Sequence, residues 1–217
     1  MKNNITELVF VLDRSGSMAG LVDDTIGGFN SLIVKQKEKE GICLVTTVLF
    51  DTRYDMIHDR VPIQQIGPMT GEDYIPGGCT ALFDAAGDTI RHIARIHKYA
   101  RAEDVPENTV FVITTDGMEN ASRRFSAEEI RAMVEHEQEE YGWEFLFLGA
   151  NIDAFAAAGA LGIRAERTSN YQADAIGTKA AFDSLNEAVS CARLNRPISG
   201  AWKKDVEEDF ARRQKIR

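Results

Sequence analysis

The chain has 217 residues, a length that suits one domain with modest additions. Its hydrophobic content of 44%, without long Ser-, Gln- or Pro-rich tracts, excludes an intrinsically disordered chain. With 34 acidic residues against 25 Lys and Arg, the net charge of −9 disfavours nucleic acid, and the pairs Arg123-Arg124 and Arg212-Arg213 lie in mixed-charge surroundings rather than in a basic patch.

Residues 7–12, Glu7-Leu8-Val9-Phe10-Val11-Leu12, predict a strand buried on both faces that stops at Asp13. A helix follows over about 21–40, with Ile26, Phe29 and Ile33 on one face; Gly27-Gly28 inside it suggests close packing on the sheet. The second strand spans 42–50, and after Asp51-Thr52-Arg53 the charged segment 54–63 returns beside it as an antiparallel edge hairpin. A Gly/Pro-rich loop, 67–80, is long enough to be functional and leads into a helix over 81–98.

Residues 109–114 repeat the character of the first strand and are followed at once by Thr115-Asp116-Gly117. Ser126-Ala127-Glu128-Glu129 is a capping-box sequence that opens the next helix. A strand from Trp143 to Leu148, a short helix from Asn151 to Leu161 and an edge strand over 163–168 come next. Thr178, Phe182, Leu185, Val189 and Ala192 recur at helical spacing over about 174–194, and the charge-dense 203–217 reads as a solvated tail. Strands alternating with helices predict an α/β fold: a three-layer, doubly wound, mostly parallel sheet with one antiparallel edge strand and extra C-terminal helices. Residues 1–170 form the main domain in this reading, and 171–217 a helical extension packed on it or flanking it.

Cys43, Cys79 and Cys191 are odd in number and widely spaced, which argues against a disulfide framework and a paired zinc site and fits reduced thiols in the cytoplasm. The first seven residues lack an apolar signal region, and no stretch reaches about 18 apolar residues. A cytoplasmic protein without a membrane partner is expected. His58, His92, His97 and His136 are scattered and read as structural or surface residues.

In open sheets of this kind ligands bind outside the carboxyl ends of the strands. Three segments there hold oxygen donors: Asp13-Arg14-Ser15-Gly16-Ser17, Gly77-Gly78-Cys79-Thr80 and Asp116-Gly117. Two carboxylates and three hydroxyls without His or Cys make a hard-cation set, and Mg²⁺ usually takes only one or two protein carboxylates among about six oxygens. Alternate residues Asp13, Ser15 and Ser17 can turn toward one point, with Gly16 relieving crowding. Taken singly, each has an ordinary alternative, since Asp, Ser and Thr are favoured helix caps.

With its Asp-x-Ser-x-Ser, distant Thr and distant Asp-Gly, the sequence resembles the von Willebrand factor A family and its metal-ion-dependent adhesion site, over roughly residues 5–165. The resemblance implies that Asp13, Ser15, Ser17, Thr80 and Asp116 ligate Mg²⁺ directly or through water, with Mn²⁺ or Ca²⁺ as alternatives. It further implies a non-enzymatic protein-binding module whose ion accepts an Asp or Glu from a partner. Arg14, Met18, Leu21, Met118, Glu119, Asn120, Arg123 and Arg124 are the expected rim.

The main rival is a Mg²⁺-dependent phosphoryl-transfer or phosphatase enzyme. A haloacid-dehalogenase-like phosphatase would carry a second Asp where Ser15 stands, and no paired carboxylate remains as acid or base. A dinucleotide-binding domain would need Gly-x-Gly-x-x-Gly after the first strand, which Asp13-Arg14-Ser15-Gly16-Ser17-Met18 does not supply.

Overall fold

The computed structural model describes residues 4–214. β1 (Ile5–Asp13) lies between two parallel neighbours, β2 (Ile42–Phe50) and β4 (Asn108–Thr115). Burial on both sides explains its apolar run: Leu8, Phe10 and Leu12 enter one core layer, and Val9 and Val11 the other. The sheet order is β3-β2-β1-β4-β5-β6, with β3 (Tyr54–Pro62), β5 (Glu144–Ala150) and β6 (Thr168–Tyr171). Among the described strand pairs, only β2/β3 is antiparallel.

α1 (Val22–Lys37) and α5 (Ala175–Arg193) cover the face shared by Leu8, Phe10 and Leu12. α2 (Leu82–Tyr99), α3 (Ala127–Tyr141) and α4 (Ala154–Ala160) cover the other. The result is the expected three-layer α/β architecture. The chain leaves β1 toward β2 on one side and later returns to β4 on the other, so the carboxyl ends of β1 and β4 flank a crevice where the strand order reverses.

Several boundaries differ from expectation for local reasons. The first helix starts at Val22, as expected, after a 3-10 turn over Gly16–Leu21, but it ends early, at Lys37 rather than near residue 40. Gly28 packs against α5 rather than the sheet: a Cβ there would lie 2.2 Å from the Phe182 ring. The last edge strand is 168–171 rather than 163–168, since Ala165–Arg167 makes a 3-10 turn and only Thr168 onward pairs with β5. The expected solvated tail is instead α6 (Lys204–Gln214), which with Trp202 and Val206 joins the α1/α5 core. Residues 215–217 of that segment lie outside the described residues.

Two connections fix the α1/α5 layer. Buried Arg193 donates to the carbonyls of Gln36, Lys39, Glu40 and Gly41, satisfying the C-terminal end of α1 from α5. Trp202 Nε1 donates to the Glu166 carbonyl at 2.9 Å, and Lys203 Nζ to those of Ala165 and Thr168 at 2.8 Å. At the opposite side of the sheet β3 is irregular, with register shifts against β2 between Val45 and Val48 and a left-handed Arg60 at φ 51°.

Candidate metal centre

Asp13 ends β1 and is fully buried. The Ser15 amide donates to its Oδ1 at 2.6 Å and the Thr115 hydroxyl to its Oδ2 at 2.6 Å, while buried Tyr74 donates its hydroxyl to the Asp13 carbonyl. These contacts fix the carboxylate before any ligand arrives. The chain then turns so that Ser15 Oγ and Ser17 Oγ lie 3.1 Å apart, and Ser17 Oγ donates to Asp116 Oδ1 at 2.5 Å. The first and third loops therefore meet through side-chain oxygens.

The second loop is stitched to the first by backbone. Gly16 N donates to Gly78 O at 3.2 Å and Gly77 N to Arg14 O at 2.9 Å. Gly78 sits at φ 64°, where a Cβ would also fall 2.8 Å from Thr52 Oγ1, so glycine is required twice over. Thr80 reaches the same place: the position of an added Cβ on Gly117 is 3.1 Å from Thr80 Oγ1 and 3.5 Å from Ser17 Oγ. Asp13, Ser15, Ser17, Thr80 and Asp116 thus converge from three loops at the strand-order reversal.

Burial lifts the Asp13 carboxyl above its usual range, partly offset by Thr115 and Ser15, and repulsion from Asp116 adds to the lift. Burial likewise raises Asp116, against the opposing hydrogen bond from Ser17. Neither forms a salt bridge among the described residues. Two buried carboxylates facing each other without a counter-charge, beside three neutral hydroxyls, fit a hard divalent cation. Among the described residues no three His, Cys, Asp or Glu side chains gather, so the donor set differs in kind from a zinc cluster.

The expected rim is only partly a rim. Arg14 is buried, held by Asp51 at 3.2 Å and by Asp55, because a guanidinium enclosed at a strand end needs paired charge. Met18 and Leu21 belong to the core. Glu119 turns inward to accept from Phe83 N at 3.0 Å, and Arg124 pairs with Asp88 at 2.6 Å. Met118, at 76% exposure, together with Asn120 and Arg123, remains on the outside. Sequence reasoning missed Thr115 and Tyr74; the repeated Thr before Asp116 and the lone aromatic in the Gly/Pro loop were the available signals.

No protein-family model matches the chain, and no curated protein does. Solved structures do. Proximal thread matrix protein 1 from the mussel byssus, in a structure with a zinc-occupied MIDAS motif, aligns at 15% identity and TM-score 0.59, over 85% of this chain and 46% of that one. Manganese-loaded TRAP protein from Plasmodium vivax aligns at 16% identity and TM-score 0.57, over 83% of this chain and 72% of that one. The von Willebrand factor domain of a type V pili tip protein from Porphyromonas gingivalis aligns at 13% identity and TM-score 0.58, over 85% of this chain and 94% of that one. The chain spans less than half of the mussel protein. At these identities the likeness is one of fold, and the fold is that of von Willebrand factor A domains.

Proposed function

We propose that Asp13, Ser15, Ser17, Thr80 and Asp116 hold one divalent cation, Mg²⁺ in the cell with Mn²⁺ or Ca²⁺ as substitutes, and that this centre binds a partner protein through an Asp or Glu of the partner. The observation that carries the reading is the convergence of three hydroxyls on two buried carboxylates that form no salt bridge among the described residues. A bound ion would supply an electrophilic position for one further oxygen ligand. Asp13 is preset by Ser15 N and Thr115; Ser17 and Asp116 share a hydrogen bond that an ion would replace.

Zinc in the mussel protein's MIDAS and manganese in the Plasmodium protein support a divalent ion in this fold. Residues up to about 170 carry the centre in this reading, with 171–217 as the helical extension, and the protein acts without catalysing a reaction. Free Cys43, Cys79 and Cys191 support a reducing, cytoplasmic setting. No described helix is long and apolar enough to cross a membrane.

Calorimetric titration of intact protein and Asp13→Ala with Mg²⁺ and Mn²⁺ tests the centre. Saturable heat is expected only from the intact protein, and equal heats would refute the assignment. Capture of partners with Mg²⁺ or with EDTA tests the partner claim: binding unaffected by EDTA would remove the ion from it. Mg²⁺-dependent turnover of generic phosphoesters, lost in Asp13→Ala, would favour an enzyme instead.

A further inference from the structure

Helix α2 begins at Leu82, and its cap position is Ala81, whose side chain accepts no hydrogen bond. The first amides of a helix need acceptors from outside it. α3, α4 and α5 obtain them from their own cap residues, Ser126, Asp153 and Asp174. For α2 two of them come from the loop after β4, where Glu119 Oε2 accepts from Phe83 N and Ser122 Oγ from Asp84 N, and just ahead of the helix Asn120 Oδ1 accepts from Thr80 N, each at 3.0 Å.

The exchange runs both ways. Asp84, in the first turn of α2, accepts from the amides of Arg123, Arg124 and Phe125 at 3.0, 2.9 and 3.1 Å. Thr80 O accepts from Asn120 N at 3.0 Å and Ala121 N at 3.2 Å. Glu119 completes the lock by accepting from Ala121 N at 2.9 Å and Ser122 N at 2.7 Å through Oε1. Thr80 and Asp116, separated by 36 positions, are thereby parts of one hydrogen-bonded body. The Asp13–Ser17 loop joins that body through the Gly16–Gly78 and Gly77–Arg14 backbone bonds and the Ser17–Asp116 contact.

We infer that Glu119, Asp84 and Asn120 are positioning residues that fuse the Thr80 and Asp116 loops into a preset half of the metal centre. This rests on the proposed function for the identity of the ligand, and on the geometry alone for the clamp. None of the three is among the five proposed ligands; through their hydrogen bonds they set where Thr80 Oγ1 stands relative to Asp116. Supporting residues of this sort commonly change metal affinity by about 10–100-fold.

The test uses the full chain, well below its unfolding temperature, in Glu119→Ala, Glu119→Gln and Ser126→Ala. Ser126→Ala removes the local cap of α3 and serves as a control for cap loss alone. In metal-free protein, amide hydrogen exchange at Thr80 and Phe83 should quicken in Glu119→Ala, with Glu119→Gln between it and the intact chain. By titration, Mn²⁺ affinity should fall about tenfold in Glu119→Ala and stay unchanged in Ser126→Ala. Intact affinity in folded Glu119→Ala, or equal weakening in Ser126→Ala, would overturn the positioning role. An intact chain that takes up no Mn²⁺ would end the proposed function and the positioning role with it, and exchange alone would then decide the clamp.

Discussion

At the scale of single residues, the two site carboxylates work against the metal-free fold. Both Asp13 and Asp116 are raised above 3.8, chiefly by burial. Between 3.8 and their folded values the native chain holds protons that the unfolded chain has released, so their contribution to stability falls as pH rises through that window. Asp116→Asn should accordingly raise the melting temperature of metal-free protein at pH 7 and remove any response to Mg²⁺; a lowered melting temperature would contradict the electrostatic reading. Mg²⁺ affinity of the intact chain should weaken on acidification through the same window. Asp51 works the other way, since it holds the enclosed Arg14 guanidinium at 3.2 Å. Asp51→Ala strands that charge beside the half-exposed Asp55 and should cost about 3 kcal/mol in urea unfolding.

At the scale of elements, helix α1 is pressed onto α5 where it has no side chain. Gly28→Ala would set a methyl 2.2 Å from the Phe182 ring, and separation of the two helices should lower stability by about 1–3 kcal/mol. Gly27→Ala meets nothing within 4 Å and serves as the comparison, with Gly28→Ala expected to be the less stable of the two by denaturant titration. The elements legible in the sequence were those whose surroundings leave a local trace. β1 and β4 are buried on both faces, so each shows an apolar run with a carboxylate close behind it, and four of the five donors could be chosen from those endings, Thr80 coming instead from the Gly/Pro-rich loop before α2. β6 left no such trace because it is a four-residue polar strand, Thr168-Ser169-Asn170-Tyr171. α6 was obscured because Val206 and Asp209 are its only buried residues within a run of exposed and half-exposed charge. The inward turns of Arg14 and Glu119 depend on partners 37 and 36 positions away, which no short-range pattern encodes.

At the scale of the whole molecule, ion binding and folding should be linked. An ion held by folded loops and not by the unfolded chain stabilises by about 2.7 kcal/mol at a hundredfold excess over its dissociation constant. Thermal unfolding with saturating Mg²⁺ should therefore shift upward relative to EDTA, by about 5–11 °C for a chain of this size. An unchanged transition would argue against a resident ion. The shift should vanish in Asp13→Ala, which separates site binding from general salt effects.

The two flanks of the sheet also bear on how copies of the chain behave toward one another. An open strand flank offers unpaired amides and carbonyls to any passing extended segment. On one flank Arg60 turns left-handed, the register shifts, Pro62 lacks a donor and Asp59 is exposed. On the other, Lys203 occupies the carbonyls of Ala165 and Thr168 while α6 lies against β6. Growth of the sheet from molecule to molecule is thus obstructed at both borders, which guards a concentrated solution against fibrous association.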